Sequence, residues 1–305
     1  MKKIVTLILA AATALGASSQ VVVKGGGVTV KKTSEATQMS EEIVNEFEKL
    51  GEGKYTALYD YKINTQDKQG NPVSELYATA LRIGDDGAVF TDYITYSADS
   101  LAAAGAPAQA VEEERRKQFV TENFFVPVVT QNIPMGKTVV NDMSAVTVVS
   151  YEEPFADIEW FLTEETDTLA GYNIAKATGS YGGRKWTVWY TEEIPAAYGP
   201  WKLAGLPGLV VKASDADGIH EFKLISFTKS NVPLLRAKDK RTVKTDRDKF
   251  VGIKNSQAQN PMKSINPAMI TDISVKKNGG DWGSIFVNGI QQRTPVNIYQ
   301  PLELK

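Results

Sequence analysis

The chain has 305 residues, a formal net charge of −2 at pH 7, no cysteine and one histidine. That balance excludes a nucleic-acid protein by bulk charge. Without thiols, and with His220 alone, the usual zinc, copper, haem and iron–sulfur ligand sets cannot be assembled within one chain, so no metal or other cofactor is expected. A Ser-His-Asp triad would have to use His220, and no Gly-x-Ser-x-Gly elbow is present. Carboxylate chemistry, Ser-Lys chemistry or no chemistry remain, and the sequence designates no catalytic residue.

Met1-Lys2-Lys3 is positive, residues 4–17 form an apolar run, and Ala17-Ser18-Ser19 supplies small residues before Gln20. This layout predicts a secretory signal peptide over 1–19, because the run is shorter than the roughly 18–20 apolar residues that span a bilayer. The expected product is a soluble protein exported to the periplasm or cell envelope, with no transmembrane segment and no cysteine to carry a lipid. An oxidising compartment permits disulfides without requiring them.

Residues 21–32 are β-prone but broken by Gly25-Gly26-Gly27, so 20–39 reads as an extended arm or edge strand. Residues 40–50 carry Ile43, Phe47 and Leu50 at helical spacing behind Ser40, which predicts a helix stopped by Gly51 and Gly53. Residues 54–64 and 74–83 alternate as strands, and Gly84-Asp85-Asp86-Gly87 turns the second into 88–97. Residues 106–123 read as helix by composition. Beyond Pro127 the chain returns to strand at 138–140 and 145–151.

Five strand candidates then follow in succession, at 158–162, 172–178, 184–191, 209–213 and 219–228. Short strands at this spacing, without helices between them, argue an antiparallel sheet or open barrel. Residues 234–255 are charged and helical in part. Residues 285–290 predict a closing hairpin on Asn288-Gly289. With no internal repeat and no long linker, residues 40–305 are expected to form a single β-rich domain.

The densest signal is Gly199-Pro200-Trp201-Lys202-Leu203-Ala204-Gly205-Leu206-Pro207-Gly208-Leu209. Each glycine permits positive φ or close approach, and each proline fixes φ and removes a donor. Together with Thr168-Leu169-Ala170-Gly171-Tyr172, Lys176-Ala177, Gly183-Arg184, Trp189-Tyr190-Thr191 and Ile194-Pro195, it resembles the GLPGLI family over 160–227. These are secreted proteins of Gram-negative bacteria, mostly without an assigned activity, and the family core would span 158–228. Ile174 stands where family members often carry cysteine, so a thiol or disulfide role is absent. Val210-Val211 varies the end of the motif while keeping a strand. The expected fold is mainly β (α+β), an antiparallel sheet curved into an open or half barrel with a few helices. It resembles the periplasmic lipoprotein-carrier fold, an analogy that implies an apolar concave face.

Alternation sends Trp186, Val188 and Tyr190 to one face of their strand and Thr187, Trp189 and Thr191 to the other. One tryptophan can enter the core, and the second is expected to be covered by Pro200-Trp201 and the Leu206-Pro207 corner. The loop is then either a Pro/Gly corner capping the barrel or the rim of a groove for an acyl chain or an extended peptide. The groove reading makes Trp186, Trp189, Tyr190, Pro200 and Trp201 binding residues, with Leu203, Leu206, Pro207 and Leu209.

His220 shares a face with Phe222 and Leu224, as a proton shuttle or as a strand histidine hydrogen-bonded beside the core. Asp215-Ala216-Asp217-Gly218 lacks the ligands of a calcium loop and reads as a hairpin turn. Glu192 and Glu193 are adjacent and face opposite ways in a strand, which argues against a glycosidase pair. Residues 152–167 hold seven acidic and no basic residues, whereas 229–254 hold nine basic against three acidic. These are either an electrostatic docking surface or solvated faces that neutralise each other.

Three functions stay open. The first is a non-catalytic envelope protein binding a lipid, a hydrophobic peptide or a partner segment. The second is a structural subunit of an outer-membrane or secretion assembly, and the third is a carboxylate-based hydrolase of envelope polymers or peptides.

Overall fold

The computed structural model describes residues 19–24, 27–32, 46–119, 121, 123–144, 147–238, 242–259, 272–278, 281–287, 290–292 and 297–304. Residues 1–18 of the expected signal peptide and 40–45 of the expected helix lie outside them. In chain order the strands begin with β1 (Ser19–Lys24), β2 (Gly27–Lys32), β3 (Glu46–Gly51), β4 (Tyr55–Gln66), β5 (Pro72–Ile83) and β6 (Ala88–Asp92). Helices α1 (Tyr93–Ala103) and α2 (Ala108–Arg116) follow, then β7 (Val128–Gln131), β8 (Lys137–Ser144), β9 (Thr147–Pro154), β10 (Trp160–Leu169), β11 (Tyr172–Tyr181) and β12 (Arg184–Thr191). After the Pro/Gly loop come β13 (Leu209–Asp215), β14 (His220–Lys229), β15 (Leu234–Lys238), β16 (Val243–Lys244) and helix α3 (Arg247–Gln259). The last strands are β17 (Asp272–Asn278), β18 (Asp281–Val287) and β19 (Ile290–Gln292).

Where the sequence predicts an arm over 20–39 and a single domain over 40–305, the chain divides into two compact units. The smaller comprises Met1–Asn45, Met143–Val148 and Gly252–Pro295. It contains a five-stranded sheet in the order β1-β2-β17-β18-β19. The arm is thus a hairpin pairing Ser19 with Lys32, and the strands flanking Asn288-Gly289 pair Val287 with Ile290, as that dipeptide predicts.

The larger unit is built on a curved, open sheet of twelve strands, β10-β11-β12-β13-β14-β4-β5-β6-β7-β8-β9-β16. The protein is therefore mostly β with a few helices. Strand alternation gives the sheet an inner face of large apolar side chains. Tyr77, Tyr61, Phe222, Ala213, Val188, Ala177 and Leu162 lie in register across seven strands. Tyr61 stacks on Phe222 at 4.3 Å, and Trp186, Phe90 and Phe125 extend the aromatic cluster. Ring pairs of this kind add roughly 0.5–1.5 kcal/mol each beyond the area they bury.

Two local expectations are corrected. Residues 46–50 are strand, not helix, because β3 finds a ladder partner in β15 and tertiary pairing overrides helical spacing. The strand drawn over 88–97 ends at Asp92, whose carboxylate accepts from Ile94 N at 2.8 Å and starts α1, as an N-cap does. On the opposite face of β5, Arg82 binds Asp99 of α1 at 2.6 Å, and Arg115 of α2 holds the other oxygen at 2.6 Å.

Two glycines let the Pro/Gly loop close over the inner face. A Cβ at Gly208 would lie 1.9 Å from the Thr191 carbonyl oxygen, and one at Gly199 would lie 2.0 Å from that of Leu203. Gly208→Ala is therefore expected to abolish or severely lower folding stability. Trp201→Ala, which empties a site 3% exposed, should cost about 3–5 kcal/mol. Gly252→Ala, which meets nothing within 4 Å, should be neutral or stabilise slightly. Urea unfolding of the three variants against the parent checks the order.

Candidate functional site at the Pro/Gly loop and residues 297–304

Residues 192–208 connect β12 to β13 as a plug held by hydrogen bonds to its backbone and by its buried side chains. Gly205 N donates to Ala197 O at 3.0 Å, Leu209 N to Ile194 O at 3.1 Å and Val210 N to Tyr198 O at 3.1 Å. Gln131 on β7 reaches in and donates from Nε2 to the carbonyls of Gly199 and Trp201, both at 2.8 Å. Trp160 Nε1 donates to Ala204 O at 2.9 Å. Buried carbonyls without water need such donors. Trp201 sits at φ 55°, a left-handed conformation costing a bulky residue on the order of 1–3 kcal/mol. Its ring repays that by packing against Trp186 at 5.8 Å and Tyr181 at 5.6 Å.

The structure thus places most of the predicted binding residues in the core. Trp186, Tyr190, Trp201, Leu203, Leu206 and Leu209 are buried, as is Pro200, while Pro207 is exposed. Trp189 is half-buried on the opposite face. The loop covers Trp186 rather than Trp189, which corrects the expectation that it shields the second tryptophan. The side chains of this set hold the plug in place and present little surface to an occupant.

What the loop does present is Lys202. Its ammonium is 1% exposed and spends its three donors on the Tyr151 hydroxyl, Glu153 Oε1 at 2.7 Å and Glu303 Oε1 at 2.5 Å. The rings of Tyr151, Trp201 and Tyr181 lie 4.7, 5.3 and 5.6 Å from Nζ, favourable positions for a cation. Arg247 of α3 holds Glu303 Oε2 at 2.5 Å and approaches Glu153 at 3.6 Å. Tyr151 donates to Glu303 at 2.9 Å, and Tyr181 to Glu153 at 2.5 Å. Two cations and two carboxylates therefore neutralise each other, Lys202 out of water and Arg247 at the solvent edge. Burial works to raise the Glu303 pKa, but Lys202 and Arg247 outweigh it and hold the carboxyl below the usual range.

Glu303 belongs to a segment, residues 297–304, that crosses the strand ends of the sheet. Asn297 Nδ2 donates to Glu75 at 2.6 Å, Ile298 N to Gln66 O at 2.8 Å, and Leu304 N to Gly182 O at 2.7 Å. Midway, the Pro301 carbonyl accepts from Arg184 Nη2 at 2.6 Å and from His220 Nε2 at 3.2 Å. Because that carbonyl can only accept, Nε2 carries the proton, and Nδ1 accepts from the Tyr61 hydroxyl at 2.8 Å. Asp215 sits behind, binding Arg184 at 2.7 Å and the amides of Ile219 and His220 at 2.8 Å. The Asp-Gly motif is therefore a hairpin turn, with Gly218 at φ 67°, whose first aspartate faces inward. Among the described residues no group of three His, Asp or Glu side chains could hold a metal ion. Glu193 is occupied by Asn173 at 2.8 Å.

His220 is the strand histidine beside the core, not an exposed sensor. Burial, then Arg184, lowers its pKa to about 4. Lys202, Glu153, Glu303, Arg247, Arg184 and Asp215 escaped the sequence reading. A lysine between Trp201 and Leu203 in an otherwise apolar loop was the one local sign that a buried counter-charge existed.

No family model matches the chain, and no curated protein matches it in sequence. Solved structures similar to it include PNGF-II in its P21 crystal form (17% identity, 66% of this chain, TM-score 0.44) and its C2 form (18%, 70%, 0.43). The chain spans 33% of the PNGF-II chain in each. The LolA superfamily protein NE2245 from Nitrosomonas europaea aligns at 9% identity over 59% of this chain and 88% of its own, with a TM-score of 0.23.

A histidine with a depressed folded pKa takes up its proton in the unfolded state first, so stability falls as pH drops from 6.5 towards about 4. The loss should be on the order of 3 kcal/mol. Glu303, with its pKa held below the ordinary 4.5, contributes stability above that value and loses it as pH falls further. His220→Gln should flatten the upper window and leave the lower one intact, as read by urea unfolding across pH.

Proposed function

We propose that the protein is a non-catalytic binding protein of the cell envelope, a member of the GLPGLI family, that holds a segment of a partner protein beside Lys202 of its Pro/Gly loop. The envelope location follows from the signal-like residues 1–19. The observation that carries the binding reading is the 297–304 segment. In it one carboxylate meets Lys202, Arg247 and Tyr151 and one carbonyl meets Arg184 and His220. Side chains from β9, β12, β14, α3 and the loop converge there on a short irregular segment, as in capture of a peptide rather than in a strand ladder.

The buried aromatics of the loop serve this site indirectly. They fix the backbone that aims Lys202, and a preorganised donor needs little ordering when a ligand arrives. Glu153 and Glu303 are each neutralised by the same two cations, so neither is poised as the acid of a hydrolase.

The test is exchange. A protease site inserted within 293–296 allows the folded chain to be cut, and a labelled peptide Asn-Ile-Tyr-Gln-Pro-Leu-Glu-Leu, copied from 297–304, is then added. Saturable binding by fluorescence anisotropy, weakened about tenfold or more when Glu303→Gln is placed in the peptide, is the expected result. No exchange, or equal affinity for the two peptides, would contradict the proposal.

A further inference from the structure

The face of the sheet opposite the plug carries a row of side chains that neither the loop nor the 297–304 segment uses. Pairing aligns Lys176 of β11 with Trp189 of β12, Trp189 with Lys212 of β13, and Lys212 with Lys223 of β14. At about 4.8 Å per strand the row spans roughly 14 Å. Trp189 and Lys212 are half-buried and Lys223 is exposed, so the row lies open to solvent.

Its charges are arranged unusually. Lys176 is paired with Glu165 at 2.7 Å, and Asp60 stands opposite Lys223. Lys212 and Lys223 themselves oppose one another across the ladder and make no ion pair among the described residues. Like charges directly opposite destabilise a sheet; Asp60 flanks Lys223 from the far side, and the space between Lys212 and Lys223 is left for an anion to neutralise. The neighbouring row, Thr178, Thr187, Ser214 and Glu221, adds hydroxyl groups next to the tryptophan. Glu221 is opposed by Lys62.

We propose that this row is a binding site for an acidic polysaccharide. The apolar face of a sugar ring lies on the Trp189 indole, which offers a large flat amphipathic surface. The carboxylate of that ring or the next meets Lys212 and Lys223, and ring hydroxyls meet Thr187 and Ser214. A row of this length fits a chain of rings better than a single small anion. The neutralised Lys176 leaves the positive charge on one side of the tryptophan, giving the bound chain a direction.

The probe is a galacturonate hexamer added to the full chain and followed by tryptophan fluorescence, with maltohexaose as the uncharged counterpart and phosphatidylglycerol vesicles as a second anionic surface. Expected are binding of the galacturonate hexamer that weakens as salt rises, no binding of maltohexaose, and a loss of about tenfold or more in Trp189→Ala. The Lys212→Gln/Lys223→Gln double variant, both of whose changes lie on the solvent face, should lose as much affinity with a urea midpoint that does not fall and rises slightly as the like-charge repulsion is removed, which keeps the test decisive if Trp189→Ala misfolds. Binding unaffected by the lysine pair, equal binding of maltohexaose, or binding of the vesicles without the hexamer would overturn the proposal.

Discussion

An ammonium group without water is costly, and Lys202 is 1% exposed. Removing such an ion from solvent carries a penalty of several kcal/mol unless every donor is met and the charge is balanced. Here both conditions hold, and satisfying them ties distant parts of the chain together. Glu153 comes from β9, Glu303 from the 297–304 segment, Arg247 from α3 and Lys202 from the Pro/Gly loop. The requirement to pair one lysine therefore fixes where the segment passes.

The apolar part of the loop and its charged part divide the work. Trp201 and the leucines fill the inner face and supply most of the burial energy. They would hold a plug equally well without any lysine. The ion cluster adds little net stability by comparison, since buried pairs are often no better than apolar replacements. What it adds is specificity for a carboxylate at one position and for a carbonyl two residues earlier, at Pro301. The ion cluster thus discriminates chemically, and the plug supports it.

The strands around the loop were legible because their signals are local. Arg184–Thr191 alternates and is bounded by Gly182-Gly183 and by the Glu-Glu-Ile-Pro corner, and the observed strand has the same limits. The strand candidate at 158–162 stops short, because β10 runs on to Leu169. The acidic side chains of 163–169 face solvent along the terminal strand, so no hydrophobic period marked them. The helix expected over 40–50 failed at 46–50 because its strand partner, β15, lies nearly two hundred residues away in sequence. The candidate site was hidden for the same reason. Lys202 and Glu303 stand 101 residues apart, and no local pattern connects them. Trp189 was visible as an aromatic on the second face, but alternation alone does not say which face the loop covers.

The most direct test of the account is amide hydrogen exchange on the intact chain and on Lys202→Met. If Lys202 holds the 297–304 segment in place, the variant should lose protection at Ile298 and Leu304 together, while amides of β12 and β13 keep theirs. Protection at 298 and 304 that survives the substitution would contradict the account. So would protection that disappears only together with that of the whole sheet, because the segment would then be part of the core and not a separable occupant.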